Sequence, residues 1–259
     1  MNTTIIDISW IQVATTTLLV VITGACSILL NLKLEKDLLI GTIRTFAQLF
    51  LLGYVLTMVF ALNDPLVVSL LFAFMILFAA ITITGRIREK RVKYFSPVLA
   101  SMFLSYVAIA LFVMTAVMRV DPWYLPQYFI PLGGMIIGNS MNALAIAIDN
   151  WFEGLKKERE RVELYLCLGA TPVEATTENF KEAVRAGMIP SINALMSVGV
   201  VFIPGMMTGQ VLAGVDPLIA VKYQIVIMLL LVGSTAISTI LALHFVRKRS
   251  FSRNETLLL

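Results

Sequence analysis

Seven runs dominated by apolar residues, each about 20 residues long or more, constrain this chain more tightly than any other feature. They fall at about Trp10 to Leu32, Leu39 to Leu62, Leu66 to Gly85, Pro97 to Met118, Tyr128 to Ile148, Met188 to Ala213 and Leu218 to Val246. Hydrocarbon offers no water to a free N–H or C=O, so runs of this length must close their backbone bonds internally, as helices. The expectation is an all-α polytopic membrane protein with about seven transmembrane helices. Composition agrees: 14% of the 259 residues are charged, against roughly one quarter in a soluble domain. The spans and their connections leave no length for a second catalytic domain, so residues 1–259 read as one transmembrane domain. The opening "MNTTIIDIS" lacks a basic region, so the first run is expected to stay as a span rather than serve as a cleaved signal.

The connections set the orientation. Basic residues are retained on the cytoplasmic side. One set of alternate connections holds Lys33 and Lys36, then Arg86, Arg88, Lys90, Arg91 and Lys93, then six more between Asp149 and Gly187, and four in the tail "RKRSFSRNETLLL". That set carries seventeen of the Lys and Arg residues; the other carries Arg119 and Lys222, while Arg44 sits one turn inside the second run and can snorkel. The N-terminus is therefore expected outside and the C-terminus in the cytoplasm. The net charge of +4 is then a consequence of topology, and no nucleic-acid partner is implied. Asp64-Pro65, Asp121-Pro122 and Asp216-Pro217 all fall in external turns. Cys26 and Cys167 show no paired spacing, so a disulfide framework is not expected.

One connection is long. "WFEGLKKERERVELYLCLGATPVEATTENFKEAVRAGMIP", Trp151 to Pro190, makes up nearly all of a cytoplasmic segment at 149–189. Phe152, Leu155, Val162 and Leu166 make a helical stripe, and Glu153/Lys157, Lys156/Glu160 and Arg159/Glu163 stand at i,i+4 spacing. Gly169 offers a C-terminal stop. Thr171 then reads as an N-cap, with Pro172 at the first helical position and Glu174 reaching back as a capping box. A second helix follows, with Val173, Thr177, Phe180 and Val184 on one face. The segment is either a solvated hairpin or a docking element whose short helix, after Ala170, seats in a groove of a soluble partner.

Two apolar runs carry helix breakers. "IPLGGMIIGN" contains Pro131, Gly134, Met135, Gly138 and Asn139; "IPGMMTGQ" contains Pro204, Gly205, Met206, Met207, Gly209 and Gln210. Each places Gly-Met-x-x-Gly and an amide after Ile-Pro, and GxxxG lets helix backbones approach closely. Pro204 lies 16 residues into its run, roughly 24 Å across, so both breaks are expected in the outer half of the bilayer. Non-helical backbone at depth is tolerated where it packs in protein or lines a wet cavity. The pair can frame a substrate path or outer gate, or be simple packing sites. Met135, Met141, Met206 and Met207 could offer thioethers to a soft metal or fill gaps where helices slide. Asn139, Asn142 and Gln210 are candidates for polar lining.

"ELYLCLGATPVEA" resembles the cytoplasmic coupling loop of ATP-binding-cassette permeases, with Glu163 six residues before Gly169. The Pro that usually closes that pattern would fall at Glu182; here Pro190 comes later. Together with "IPLGGMIIGNSMN" and "FIPGMMTGQVLAGVDPLIAVKYQI", the chain resembles the FetB-type family of ABC transporter permeases, which includes bacterial iron exporters and plant aluminium-tolerance proteins. The resemblance implies a bacterial inner-membrane (plasma-membrane) permease in metal homeostasis, exporting iron. It implies a permease homodimer with two separate cytoplasmic ATPase subunits, and ATP-Mg bound on those partners.

The chain itself has no GxxxxGK[ST] phosphate cradle, so it is expected to carry no cofactor and no ATPase activity. A membrane-embedded enzyme would need a reactive cluster at depth, and the only histidine is His244. A proton-coupled secondary transporter would want carboxylates within spans; Asp149, at a span end, is the nearest. A different ABC cargo, such as a nucleotide sugar, would favour cationic lining, and only Arg44 and Lys222 lie near the spans.

Overall fold

Two aspartates show how this sequence starts its helices. In the computed structural model, Asp64 Oδ1 accepts from the amides of Leu66 (2.7 Å) and Val67 (3.4 Å), and Asp216 Oδ1 does the same for Leu218 (2.8 Å) and Ile219 (3.4 Å). Pro65 and Pro217 occupy the first helical positions, where a missing N–H costs nothing. These Asp-Pro pairs, expected as turns, are thus also N-caps. Residues 8–87, 89–252 and 256–259 are described. Arg88 and Arg253, counted above among the basic residues, lie outside them, as does the opening stretch at 1–7.

The helices are α1 (Trp10–Leu29), α2 (Glu35–Leu62), α3 (Pro65–Arg86), α4 (Phe95–Phe112), α5 (Pro126–Lys157), α6 (Arg159–Cys167), α7 (Pro172–Ala175), α8 (Thr177–Ser197), α9 (Gly205–Leu212) and α10 (Pro217–Ser250). α4 runs into a π-helical turn at Val113–Val117. Among the described residues there is no β-strand, only isolated bridges. The chain is an all-α polytopic membrane protein. Among the described residues, six helices are long and apolar enough to cross a bilayer: α1, α2, α3, α4 with its π turn, α5 and α10. The expected sixth run is not one helix: α8 ends at Ser197 and α9 restarts at Gly205.

The chain forms two compact units. One holds the chain up to Leu62 together with Leu212–Gly214. In it, α1 and α2 pair across a tight connection where Asn31 and Lys33 take positive φ and Ser27 Oγ accepts from the Leu34 amide at 2.9 Å. The other holds Asn63–Val211 and Val215–Leu259. Its centre is α5, packed against α8, α10 and α3, with α10 also against α4 and α8.

Small residues let these helices close. α5 offers Ser140, Ala143 and Ala147; α8 offers Ala183, Gly187 and Ser191; α10 offers Ser234, Thr235, Ser238, Thr239 and Ala242, all buried. In lipid, where apolar contact with a neighbour gains little over contact with an acyl chain, close packing of small residues drives association. Gly187 marks a close backbone approach: a Cβ there would lie 2.8 Å from both the Ala143 carbonyl oxygen and the Ala147 Cβ.

Candidate functional site: the cytoplasmic elbow and the broken sixth run

The long connection folds as its sequence predicts at the turn and differently at its faces. α5 and α6 are nearly continuous, separated at Glu158 (φ −107°, ψ 23°). Gly169 adopts φ +91°, which glycine reaches without steric cost, and ends α6. Thr171 then caps α7: its Oγ1 accepts from the Glu174 amide (3.3 Å), while Glu174 Oε2 accepts from the Thr171 amide and hydroxyl (both 2.8 Å). This is the expected capping box, with Pro172 at the first position. The backbone and hydroxyl donors of Thr171 hold the Glu174 carboxyl below its ordinary range.

Most of the apolar stripe is covered rather than presented to the cytoplasm, with Leu166 half-buried. Phe152, Leu155 and Val162 are fully buried, because α5 and α6 lay that face on the rest of the unit. The apolar residues left exposed are Leu164, Tyr165 and Val173, with Leu168, at the tip of the turn, 75% exposed. On α8 the buried face is Asn179, Ala183, Gly187 and Ser191, one register over from the expected Val173, Thr177, Phe180 and Val184. Of the expected ion pairs, Arg159–Glu163 forms at 2.7 Å, whereas Lys156 Nζ reaches Glu89 of the α3–α4 connection at 2.6 Å rather than Glu160.

The elbow is clamped to the bundle by polar contacts. Asn179, 2% exposed, donates to Glu158 Oε2 at 3.0 Å and accepts from Arg161 at 3.1 Å, and Arg161 also pairs with Glu158. Trp151 of α5 donates through Nε1 to Ser250 Oγ of α10 at 3.2 Å. The Phe180 ring of α8 stands edge-on to Trp151 at 6.5 Å and carries the Arg247 guanidinium of α10 at 4.9 Å. These contacts join α5, α6, α8 and α10 behind α7.

Of the two paired breakers, only one lies at a helix break. Pro131, the sixth residue of α5, stays inside a continuous helix, because at that position its missing N–H forfeits a single backbone bond. At the other site α8 stops at Ser197; Gly199 (φ +82°) donates to the Phe202 carbonyl at 2.9 Å, and Pro204 precedes α9. The expected matching depth of two breaks is thus not met. Nor do the GxxxG glycines make the close approaches: within the described chain nothing would touch a Cβ at Gly138, Gly205 or Gly209, and Gly134 meets only Met75. Gly133 is the crowded glycine of α5, lying against Phe72.

The break shapes a cavity of about 390 Å³ between the end of α8, α9 and α10. Pro204, Met207 and Met228 line it with Gln224, which is 6% exposed and whose Oε1 has no hydrogen-bond partner among the described residues. Gln210 Oε1 is likewise buried and unpartnered. Met135 and Met141, half-buried on α5, and Met206 do not line this cavity. A second cavity, about 520 Å³, is lined by Arg86, Asn142, Asp149, Asn150 and Glu153. There Arg86 Nη1 donates to Asn142 Oδ1 at 3.0 Å. Asn139 turns inward instead: its Nδ2 donates to Ser191 of α8 (3.1 Å) and Thr235 of α10 (3.0 Å). Among the described residues no group of three or more His, Cys, Asp or Glu side chains is placed to hold a metal ion.

Sequence reasoning missed Gln224, Glu89 and the hydroxyl core. The doublets Ser234-Thr235 and Ser238-Thr239, four residues apart in "GSTAISTI", were the available signal: hydroxyls repeating on one face of a membrane helix seek partners inside the bundle. Gln224 gave no such repeat.

Over residues 10–251 the chain matches the model of an uncharacterised protein family, UPF0014. It is 38% identical over 228 residues to a UPF0014 membrane protein of Synechocystis, covering 88% of each chain. It is 32% identical over 228 residues to the probable iron export permease protein FetB of Escherichia coli, covering 88% of this chain and 86% of that one. Protein ALUMINUM SENSITIVE 3 of Arabidopsis thaliana is 33% identical over 211 residues, 81% of this chain and 76% of its own. No solved structure matches.

Proposed function

Because this chain belongs to the UPF0014 family of integral membrane proteins, and is itself a membrane permease of the inner membrane, we propose that it is the permease subunit of an ABC transporter that exports iron or a related metal ion. Two copies form the membrane half of the transporter. Each engages a separate cytoplasmic ATPase that binds ATP-Mg.

The observation that carries this reading is the elbow. A capped four-residue helix, α7, is presented beyond a glycine turn among exposed Leu164, Tyr165, Leu168 and Val173. An apolar knob of this kind suits a groove on a soluble partner. Behind it, Asn179, Trp151 and Phe180 tie the knob to α5, α8 and α10. Closure of the ATPases displaces α7, the clamped helices follow, and the broken segment between Ser197 and Gly205 yields, because it lies outside the helical ladders of α8 and α9. A metal cation as cargo is supported by Asn142, Asp149 and Glu153 around one cavity, and by Gln224, Met207 and Met228 around the other. With the basic connections in the cytoplasm, the N-terminus lies outside.

The test is co-purification with the cognate ATPase in lipid vesicles and a survey of which metal ions raise ATP hydrolysis. Iron should stimulate it, and a chain lacking Ala170 to Glu174 should show basal hydrolysis only, while eluting as a folded species of unchanged size. Cargo movement at full rate with no ATPase bound would overturn the proposal, as would movement that follows the proton gradient instead.

A further inference from the structure

We propose that a cleft at the basic end of the bundle, where α3 and α10 end and α4 begins, is a seat for an anionic phospholipid. It is distinct from both cavities of the transport site and holds for any cargo. It rests only on the chain spanning a bilayer.

The seat has two adjoining parts. The first is a cavity of about 550 Å³ whose charged lining residues are Lys90, Lys93 and Arg249, with no carboxylate among them. Lys93 and Arg249 are exposed and have no ionic or hydrogen-bonding partner among the described residues, while Lys90 Nζ donates to the Thr84 carbonyl at 2.8 Å. The nearest acid in sequence, Glu89, is turned away and saturated. It is 6% exposed, pairs with Lys156 and accepts from the Lys90 and Arg91 amides at 2.9 and 2.7 Å. The first turn of α4 opens into the same cavity, and Tyr94, its N-cap, supplies no side-chain bond to the free amides. Uncompensated cations beside an uncapped helix N-terminus favour a phosphoryl group.

The second part is an apolar trough of about 660 Å³ formed by α3, α4 and Phe245 of α10. Ser96 lines both parts, so the trough begins where the basic cavity ends. From Ser96 it follows Ala100, Phe103 and Leu104 down α4, roughly 12 Å along the helix, with Leu77 of α3 opposite. A free phosphate or a nucleotide would use the cations and leave the trough empty. An amphiphile with one anionic phosphate and an acyl chain fills both. Juxtamembrane cations of this kind bind anionic headgroups, each contributing modestly and in a salt-dependent way.

The experiment uses the full chain in detergent, titrated with phosphatidylglycerol and phosphatidylcholine and read by native mass spectrometry, with inorganic phosphate as the non-lipid arm. Circular dichroism controls for folding. Phosphatidylglycerol should be retained in preference to phosphatidylcholine. Lys93→Gln/Arg249→Gln should weaken its binding about thirty-fold, the factor expected from two headgroup cations, and leave phosphatidylcholine unchanged. Ala100→Trp, at an exposed position in the trough, should displace the lipid without changing phosphate binding. Leu104→Ser serves as a second trough variant if the tryptophan chain misfolds. Equal retention of phosphatidylglycerol by the charge variant would overturn the proposal. So would inorganic phosphate competing fully with the lipid while the trough variants have no effect, which would make the cleft a phosphate site alone.

Discussion

Gly187 of α8 lies so close to Ala147 of α5 that a side chain's first carbon on the glycine would stand 2.8 Å from the alanine methyl. Those two helices carry the elbow at one end and lead to the broken sixth run and the expected gate at the other. Their contact tolerates no added volume. Gly187→Leu should therefore separate α5 from α8, destabilising the folded chain by about 1–3 kcal/mol, as overpacking does. Thermal unfolding in detergent measures this; an unchanged midpoint would show that the two helices already part freely.

The capping box at Thr171 orients α7 without contributing to the bundle core. Thr171→Ala removes the hydroxyl that accepts from the Glu174 amide and donates to its carboxylate. The expected result is a loss of stimulated ATP hydrolysis in the reconstituted complex of about fivefold, the factor that a typical N-cap is worth. The chain's thermal midpoint should not move. A falling midpoint would place the cap in the fold rather than in coupling.

Asn139 ties three helices by donating to both Ser191 and Thr235. Asn139→Leu leaves two hydroxyls short of a donor inside the bundle, at a cost of about 1–3 kcal/mol. Asn139→Gln keeps the amide but lengthens it, and should restore only part of the loss. Denaturant titration of the detergent-solubilised chain distinguishes the three proteins.

Gln224 calls for the opposite pattern. Its Oε1 is buried and unpartnered at the cavity beside the helix break, an arrangement that costs stability unless it serves a ligand. Gln224→Leu should leave the thermal midpoint level or raised while metal transport in vesicles falls. A variant that is both less stable and fully active would remove Gln224 from the path.

The Glu89–Lys156 contact predicts a pH limit. The Lys156 ammonium, with the Arg91 amide second, holds the Glu89 carboxyl below its ordinary range of about 4.5. A carboxyl depressed on folding binds fewer protons in the folded than in the unfolded chain. Its contribution is thus complete above that ordinary value and is lost as pH falls through the lowered one. Glu89→Gln should lower the midpoint at pH 7 and flatten its decline in acid. Parallel acid limbs for the two proteins would assign the decline to other groups.

How much was legible beforehand varied with the range of the interaction. Thr171, Pro172 and Glu174 were readable because a capping box is settled within four residues, and Asp64 and Asp216 stop and start helices by the same local rule. The stripe at Phe152, Leu155 and Val162 was read correctly as a helical face and wrongly as a free one. Nothing in its spacing says that Tyr94, from the connection before α4, packs against Phe152. Pro131 and Pro204 look alike in sequence, yet one is absorbed near a helix start and the other sits beside a break that Gly199 completes.

The sequence by itself determined that this chain crosses a membrane as helices and that one connection folds back as a capped elbow. Each follows from backbone hydrogen bonds that hydrocarbon or a few neighbouring residues must satisfy. The tertiary structure alone decided which faces are buried, which glycine is crowded, which amides stay unpaired and where cavities open. Those outcomes depend on side chains brought together from positions dozens of residues apart, whose distances no local pattern encodes.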